Sequence, residues 1–395
     1  MKIFVLNCGS SSVKYKLYDM TDETVLADGR VERVGQDNAI VTHQSKGKQK
    51  ISKTMPILEH TIAIQESLAL LTDEEHGILK SADEIAAVGH RVVHGGESFS
   101  DSVIVDESVK QILESLVDLA PLHNPANISG ILASEKLMPG TPQVAVFDTA
   151  FHATMPKHAY LYAIPYVLYQ RHKVRRYGFH GTSHKYVTGR AASMMGKNLK
   201  DIKVISCHLG NGASLAAVDR GRSVDTTMGF TPLEGLMMGT RSGDIDPGAI
   251  FYLMEKEELE VSDINSMLNK HSGLHGMAGV SDMRDIEAGI EDGDSLCKIA
   301  YDIYEYRIRK YIGAYIAAMD GVDAIVFTAG IGENTPSLRT AIANRLSFLK
   351  IKIDEEANNQ RGKEIEISTS DSQVKVFVIP TDEEVMIARD TATLI

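Results

Sequence analysis

One pattern constrains this chain more than any other: a phosphate-type β-hairpin that occurs twice. Ile3 to Leu6 is an unbroken apolar run, Asn7 to Ser12 a polar turn, and Ser12 to Tyr18 an alternating strand closed by Asp19. An ordinary hairpin turn is built on Asn-Gly or Asp-Gly and has no use for a run of serines. Gly9, Ser10, Ser11 and Ser12 instead offer backbone N–H groups and hydroxyls to an anion, with Lys14 close behind. Val204 to Asp219 repeats the arrangement: apolar strand, glycine-rich turn at His208–Gly212, alternating strand, closing Asp. Such distant self-similarity marks a duplicated unit. Ala324 to Thr328 is a third apolar strand, and a glycine turn at Gly330–Asn334 is expected after it.

Two such hairpins and a later strand-to-glycine loop resemble the actin/hexokinase/Hsp70 pattern. That resemblance implies an α/β protein of two related domains, each a mixed core sheet flanked by helices, with ATP in the cleft between them. The length of 395 residues agrees with two domains. The boundary is expected near Asp148–Ala153. Residues 1–150 then form an N-terminal domain with the first hairpin. Residues 151–382 form a C-terminal nucleotide-binding domain with the second hairpin and an adenosine loop. Residues 383–395 form a helix that packs back on the first domain.

The net charge of −12, with no basic run, argues against nucleic acid as a partner. It also makes each arginine informative, because a negative protein that handles negative ligands must concentrate its cations locally. Cys8, Cys207 and Cys297 show no paired or metal-ligand spacing and fit a reducing compartment; the two beside the hairpins read as small buried fillers. No apolar run approaches the ~20 residues of a membrane span, and no leader precedes the first strand. A cytoplasmic location without membrane partners is expected.

A phosphoryl-transfer site needs anion cradles, a hard metal and cations at the moving group, and little covalent chemistry. Oxygen ligands for Mg²⁺ are available at Asn7, at Asp148 (at the end of an apolar strand) and at the Glu383/Glu384 pair. Thr381-x-x-Glu384 fits a capping box, which would turn Glu384 back on its own helix and leave Glu383 as the freer carboxylate. Arg91 and Arg241 each lie in a glycine-rich, non-helical loop, where planar clamps on a carboxylate or phosphoryl group are expected. His90/His94 and His180/His184 have four-residue spacing but lack the glutamate of a zincin helix, so zinc is disfavoured. His180 and His208 read better as hydrogen-bond donors to phosphoryl oxygens.

Eight motifs in order resemble those of the acetate kinase family, from residue 3 to about residue 389. They are Asn7-x-Gly9-Ser10-Ser11-Ser12-x-Lys14, His90–Gly96, Phe147–His152, Tyr177–His184, His208–Gly212, Gly239–Arg241, Gly330–Asn334 and Thr381-x-Glu383-Glu384. The resemblance implies reversible phosphoryl transfer from ATP to acetate, giving acetyl phosphate and ADP, in a homodimer that uses Mg²⁺ with Mn²⁺ able to substitute. By it, Asn7 and Glu383 hold the metal and Arg91 binds the carboxylate. Val93, Leu122, Phe179 and Pro232 form the pocket for the acyl methyl group. Asp148, His180 and Arg241 are the catalytic residues. The nucleotide is met by Lys14, by His208, Leu209, Gly210, Asn211 and Gly212, by Asp282, Met283 and Arg284, and by Gly330, Ile331, Gly332, Glu333 and Asn334. His275 departs from the family pattern, where an apolar residue is expected, and touches no catalytic assignment.

Acetate is already ionised at neutral pH, so its oxygen needs no deprotonation. Asp148 is therefore expected to orient an arginine or a metal-bound water rather than to act as a base. Two rivals are a kinase for propionate or another short acyl group, and a non-catalytic nucleotide switch that would need neither Arg91 nor Arg241.

Overall fold

The computed structural model describes every residue except Leu122, so the acyl-pocket expectation at Leu122 lies outside the described residues. The chain divides into two compact units, Met1–Phe151 with Asp382–Ile395, and His152–Thr381.

The first unit is built on strands β1 (Lys2–Gly9), β2 (Ser12–Asp19), β3 (Thr24–Glu32), β4 (Gln36–Ser45), β5 (Ile51–Ile57), β6 (Ile85–Val92), β7 (Val103–Ile104) and β8 (Gln143–Phe147). They form one sheet in the order β5-β4-β3-β2-β1-β6-β8-β7. The run Ile3–Leu6 is apolar throughout because both faces of β1 are covered. Phe4, Leu6 and Cys8 face the core shared with Ala133, from the helix Asn124–Leu137. On the other face Gly89, the register partner of Val5, lets the helix Glu383–Leu394 approach so closely that a Cβ there would collide with Ile387 and Thr391. The first hairpin turn is tighter than the serine run suggests. Gly9 pairs with Ser12, so only Ser10 and Ser11 lie outside the ladder, and Asn7 stands opposite Lys14.

The second unit contains β9 (Lys203–Leu209), β10 (Ala213–Asp219), β11 (Arg222–Thr226), β12 (Ala324–Thr328), β13 (Ile365–Glu366) and β14 (Lys375–Val378), ordered β11-β10-β9-β12-β14-β13. The series β11-β10-β9-β12-β14 repeats β3-β2-β1-β6-β8 in order and in sense, antiparallel up to the hairpin strand and parallel beyond it. The long helix Ser295–Met319 covers this sheet through Tyr304, Ile308, Ile312, Tyr315 and Met319, all buried. Tyr311 is half-buried and donates to Asp244 Oδ2 at 2.6 Å.

Two local readings differ from the structure. Gly330–Asn334 is not an open glycine turn but the helix Ala329–Asn334, entered from the extended Thr328 through a left-handed Ala329 at φ 64°. The glycines suggested a loop, but the left-handed turn falls on the alanine before them. The capping box at the last helix is also absent. Asp382 is the N-cap and accepts from Val385 N, while Glu384 reaches Lys16 Nζ at 3.3 Å. An Asp at N-cap competes well with Thr one residue earlier, and Lys16 supplies a charge that the helix end does not.

Candidate active site

In the first unit, the parallel strands β6 and β8 end side by side, where ligands gather in open α/β sheets. Arg91, near the end of β6, and Asp148, just past β8, face each other there. Arg91 Nε donates to Asp148 Oδ1 and Oδ2 at 3.1 and 3.2 Å, and Nη2 donates to Oδ2 at 2.6 Å. Arg91 Nη1 reaches Asn7 Oδ1 at 3.3 Å. Asp148 is 2% exposed, so this is a forked, buried ion pair. Burial opposes the guanidinium charge, but Asp148, with Glu383 and Glu384, outweighs it and raises the Arg91 pKa.

The helix Glu383–Leu394 brings Glu383 to the same cluster. Burial, with Asp148 and Glu384 adding, pushes its pKa up to about 7 against the pull of Arg91 and Lys14. The resulting donor set is an amide oxygen at Asn7 and carboxylates at Asp148 and Glu383. That set fits Mg²⁺, which takes one or two protein carboxylates and otherwise water and phosphate. Burial first, and the neighbouring carboxylates second, disfavour the Glu383 charge, and a divalent cation bound there would favour it. No group of three His, Cys, Asp or Glu side chains that could hold a metal occurs among the described residues.

The segment carrying Val93 is latched from below by two asparagines that sequence reasoning did not single out. Asn127 Oδ1 accepts from Val93 N at 3.0 Å, and its amide donates to Cys8 O at 2.7 Å. Asn124 bridges the backbone of His94, accepting from its N–H at 3.3 Å and donating to its carbonyl at 3.1 Å. Their only sequence signal was two amide side chains in the first turn of a helix, where Asn is a poor helix former. Gly96, at φ 59°, completes the turn. Cys8 is a free, buried thiol whose pKa burial pushes up to about 12, as a filler requires.

In the second unit, His180 is a left-handed residue at φ 56° that starts the helix Gly181–Met194. Such strain in a non-glycine residue persists only where surrounding structure enforces it. Its ring stacks on His208, with centroids 4.1 Å apart. A Cβ placed on Gly212 would stand 3.5 Å from Arg241 Nη1 and 3.6 Å from His180 Nε2, so both donors converge above the hairpin turn. Arg241 Nη1 donates to Pro232 O at 3.1 Å, and Arg241 has no carboxylate partner among the described residues. Burial alone lowers its pKa.

The Arg241 loop is tied to the hairpin by Gly239 N donating to Asn211 O at 3.0 Å. Arg176, another residue not anticipated, secures the loop before Pro232: Nη1 donates to the carbonyls of Thr226, Thr227 and Met228, and Nη2 pairs with Glu234 at 2.5 Å. Phe179 is buried, and its carbonyl is held by His152 Nε2 at 2.9 Å. The hairpin His208–Gly212 and the helix Ala329–Asn334 are brought together: a Cβ on Gly332 would lie 3.6 Å from Leu209 Cβ and from Cys207 O. Asp282 caps the helix Met283–Glu291, and the exposed Arg284 folds back on it at 2.6 Å. Lys14 is exposed on β2, opposite Asn7.

The comparisons with known proteins agree with one another. The model of the acetokinase family matches residues 2–389. An acetate kinase of Symbiobacterium thermophilum is 60% identical over 396 aligned residues, spanning 100% of this chain and 99% of that protein. One of Halothermothrix orenii is 57% identical over the full length of both. Among solved structures, acetate kinase of Porphyromonas gingivalis has a TM-score of 0.96 at 50% identity, covering 100% of this chain and 99% of that one. A propionate kinase of Francisella tularensis has a TM-score of 0.92 at 43% identity over the full length of both.

Proposed function

Because this chain belongs to the acetokinase family and phosphorylates acetate from ATP, we propose a division of labour in which Arg91 takes the acetate carboxylate and Arg241 with His180 takes the moving phosphoryl group. The observation that carries this reading is the state of Arg241, a half-buried guanidinium whose hydrogen-bond partners among the described residues are all neutral. A cation left uncompensated beside a glycine turn is preorganised for an anion that arrives with the substrate.

Asp148 acts by holding Arg91. Its two oxygens both accept from the guanidinium, which fixes the plane of that fork for an incoming carboxylate. Acetate brings no proton to remove, so no base is needed. Asn7 and Glu383 would hold Mg²⁺, which when bound supplies positive charge to the phosphate oxygens of the nucleotide. Val93, whose N–H is fixed by Asn127, contributes to the wall against the acyl methyl group. Lys14, His208–Gly212, Asp282–Arg284 and Gly330–Asn334 serve the nucleotide.

The pattern of exposed apolar side chains, with Ile245, Phe251, Tyr252 and Val261 open to solvent over a short stretch, supports a homodimer. Three free, buried cysteines support a reducing compartment, the cytoplasm. Trapping acyl phosphate as its hydroxamate tests the activity, with ATP, Mg²⁺ or Mn²⁺, and acetate or propionate as the variables. Acetate is expected to give product only with the metal present. Turnover of propionate above acetate would move the reading to the propionate kinases, and metal-independent turnover would remove the role of Asn7 and Glu383.

A further inference from the structure

A buried file of hydroxyls and imidazoles runs inward from His180. His180 Nδ1 lies 2.9 Å from Ser214 Oγ, and Ser214 Oγ lies 2.8 Å from His184 Nε2. His184 Nδ1 lies 2.8 Å from Ser206 Oγ, where the file ends. Ser206, His184 and Ser214 are all fully buried. His184 is neutral, because burial, with His152 and His208 nearby, holds its pKa well below the ordinary histidine value. It therefore offers one N–H and one lone pair.

A serine hydroxyl has a single proton, so Ser214 can donate to only one of the two rings it touches. Two settings of the file follow. In the outward setting Ser206 donates to His184 Nδ1, His184 Nε2–H donates to Ser214, and Ser214 donates to His180 Nδ1. Every proton then has an acceptor, and His180 carries its own hydrogen on Nε2. In the inward setting each bond is reversed, and the Ser206 hydroxyl proton is left over. Ser206 Oγ has no partner other than His184 among the described residues. An orphaned buried hydroxyl forfeits the hydrogen bonds it made to water and gains none in return, which decides the direction.

We propose that Ser206, His184 and Ser214 form a one-way hydrogen-bond file that fixes His180 as its Nε2–H tautomer. These are positioning residues: none is argued to touch the phosphoryl group. The consequence falls on the nitrogen that stands beside Arg241 Nη1 above Gly212, which becomes a permanent donor. In the other tautomer that nitrogen would present a lone pair to an anion and repel it. The inference deepens the role given to His180 above and rests on it only for its effect on rate.

The test is ¹⁵N-histidine NMR of the full-length protein, with the His180 signal assigned through a His180→Gln sample, read beside steady-state kinetics. Native protein should show His180 with its hydrogen on Nε2. Ser214→Ala should introduce an Nδ1–H population and lower kcat by roughly ten- to a hundredfold, with KM for ATP and acetate little changed. Ser214→Thr should restore both. Ser206→Ala is the sharper variant, since Ser206 lies three hydrogen bonds away from His180. It should shift the His180 tautomer in the same direction to a smaller extent. An Nδ1–H tautomer in the native protein, or a tautomer unmoved by both alanine variants, would overturn the file. A tautomer that moves while kcat stays unchanged would uphold the file and remove His180 from the phosphoryl group instead.

Discussion

The two units repeat one sheet, yet they treat their arginines in opposite ways. In the first, Arg91 is forked onto a carboxylate that is 2% exposed, and a second acid, Glu383, lies in the same cluster. In the second, the hydrogen-bond partners of Arg241 among the described residues are a proline carbonyl and, at long range, a methionine sulfur. The hairpins differ in the same sense. Asn7 and Lys14 stand opposite each other in the first, and His208 and Ser214 in the second, the positions that flank the equivalent turns. On the proposed reading, the acid-rich cluster of the first unit is suited to a metal and to a carboxylate that must be oriented, and the cation and imidazoles of the second to an incoming anion. The charges placed on one repeated sheet would then divide the work.

Arg241→Ala breaks the comparison most severely. Removing a cation aimed at a transferring phosphoryl group is expected to lower kcat about a thousandfold or more. Because Arg241 balances no buried acid, thermal unfolding should move little. Arg91→Ala should behave differently, losing turnover and also stability, since it leaves Asp148 charged and unpaired in a dry site. That penalty is about 3–5 kcal/mol. From the sequence both arginines read as clamps in glycine-rich loops; Arg91 lies in β6 instead, and the ion pair makes it structural as well. Equal melting temperatures for the two variants would erase the distinction.

Gly212→Ala sharpens the second half of the comparison. Gly212 is not among the glycines at positive φ, and a Cβ there finds ordinary contact distances, so the fold should tolerate it. The methyl group would nevertheless occupy the space between His180 Nε2 and Arg241 Nη1. A fall in kcat/KM for ATP of about ten- to a hundredfold is expected, and unchanged kinetics would mean that the phosphoryl group lies elsewhere. The smallest effect belongs to Val93→Ala. Opening a methyl-sized space should shift the acetate-to-propionate ratio of kcat/KM toward propionate by ~1–3 kcal/mol. An unchanged ratio would show that Val93 does not line the acyl site.

Much of this arrangement could be read from residue order. The hairpins announce themselves because strands covered on both faces read as apolar runs, and the serine and glycine turns have no purely structural use. Arg91, Asp148, His180 and Arg241 stand out because strand ends and glycine-rich loops are poor places to spend charge without a ligand. What stayed hidden depends on partners distant in sequence. Asn124 and Asn127 reach back to Val93, His94 and Cys8, and Ser206 and Ser214 matter only once two strands set them against His184. The misread cap at Thr381–Glu384 has the same cause. A local motif competed with Lys16, more than 360 residues away, and lost. Ala329 hid a left-handed turn because the glycines beside it offered an easier explanation.

The central claim is that Asp148 works on Arg91 and not on a proton. Its most direct test is the dependence of kcat/KM for acetate on pH, from about pH 6 to 9, above the range where acetate itself titrates, in native protein and in Asp148→Asn. The amide keeps one oxygen for the guanidinium but weakens the fork. The account predicts a profile displaced downward by about ten- to a hundredfold, with a raised KM for acetate, and with any limb near pH 7, which belongs to Glu383, moved to lower pH rather than lost. A native profile with a titrating limb that vanishes in Asp148→Asn, while KM for acetate stays the same, would make Asp148 a base and contradict it.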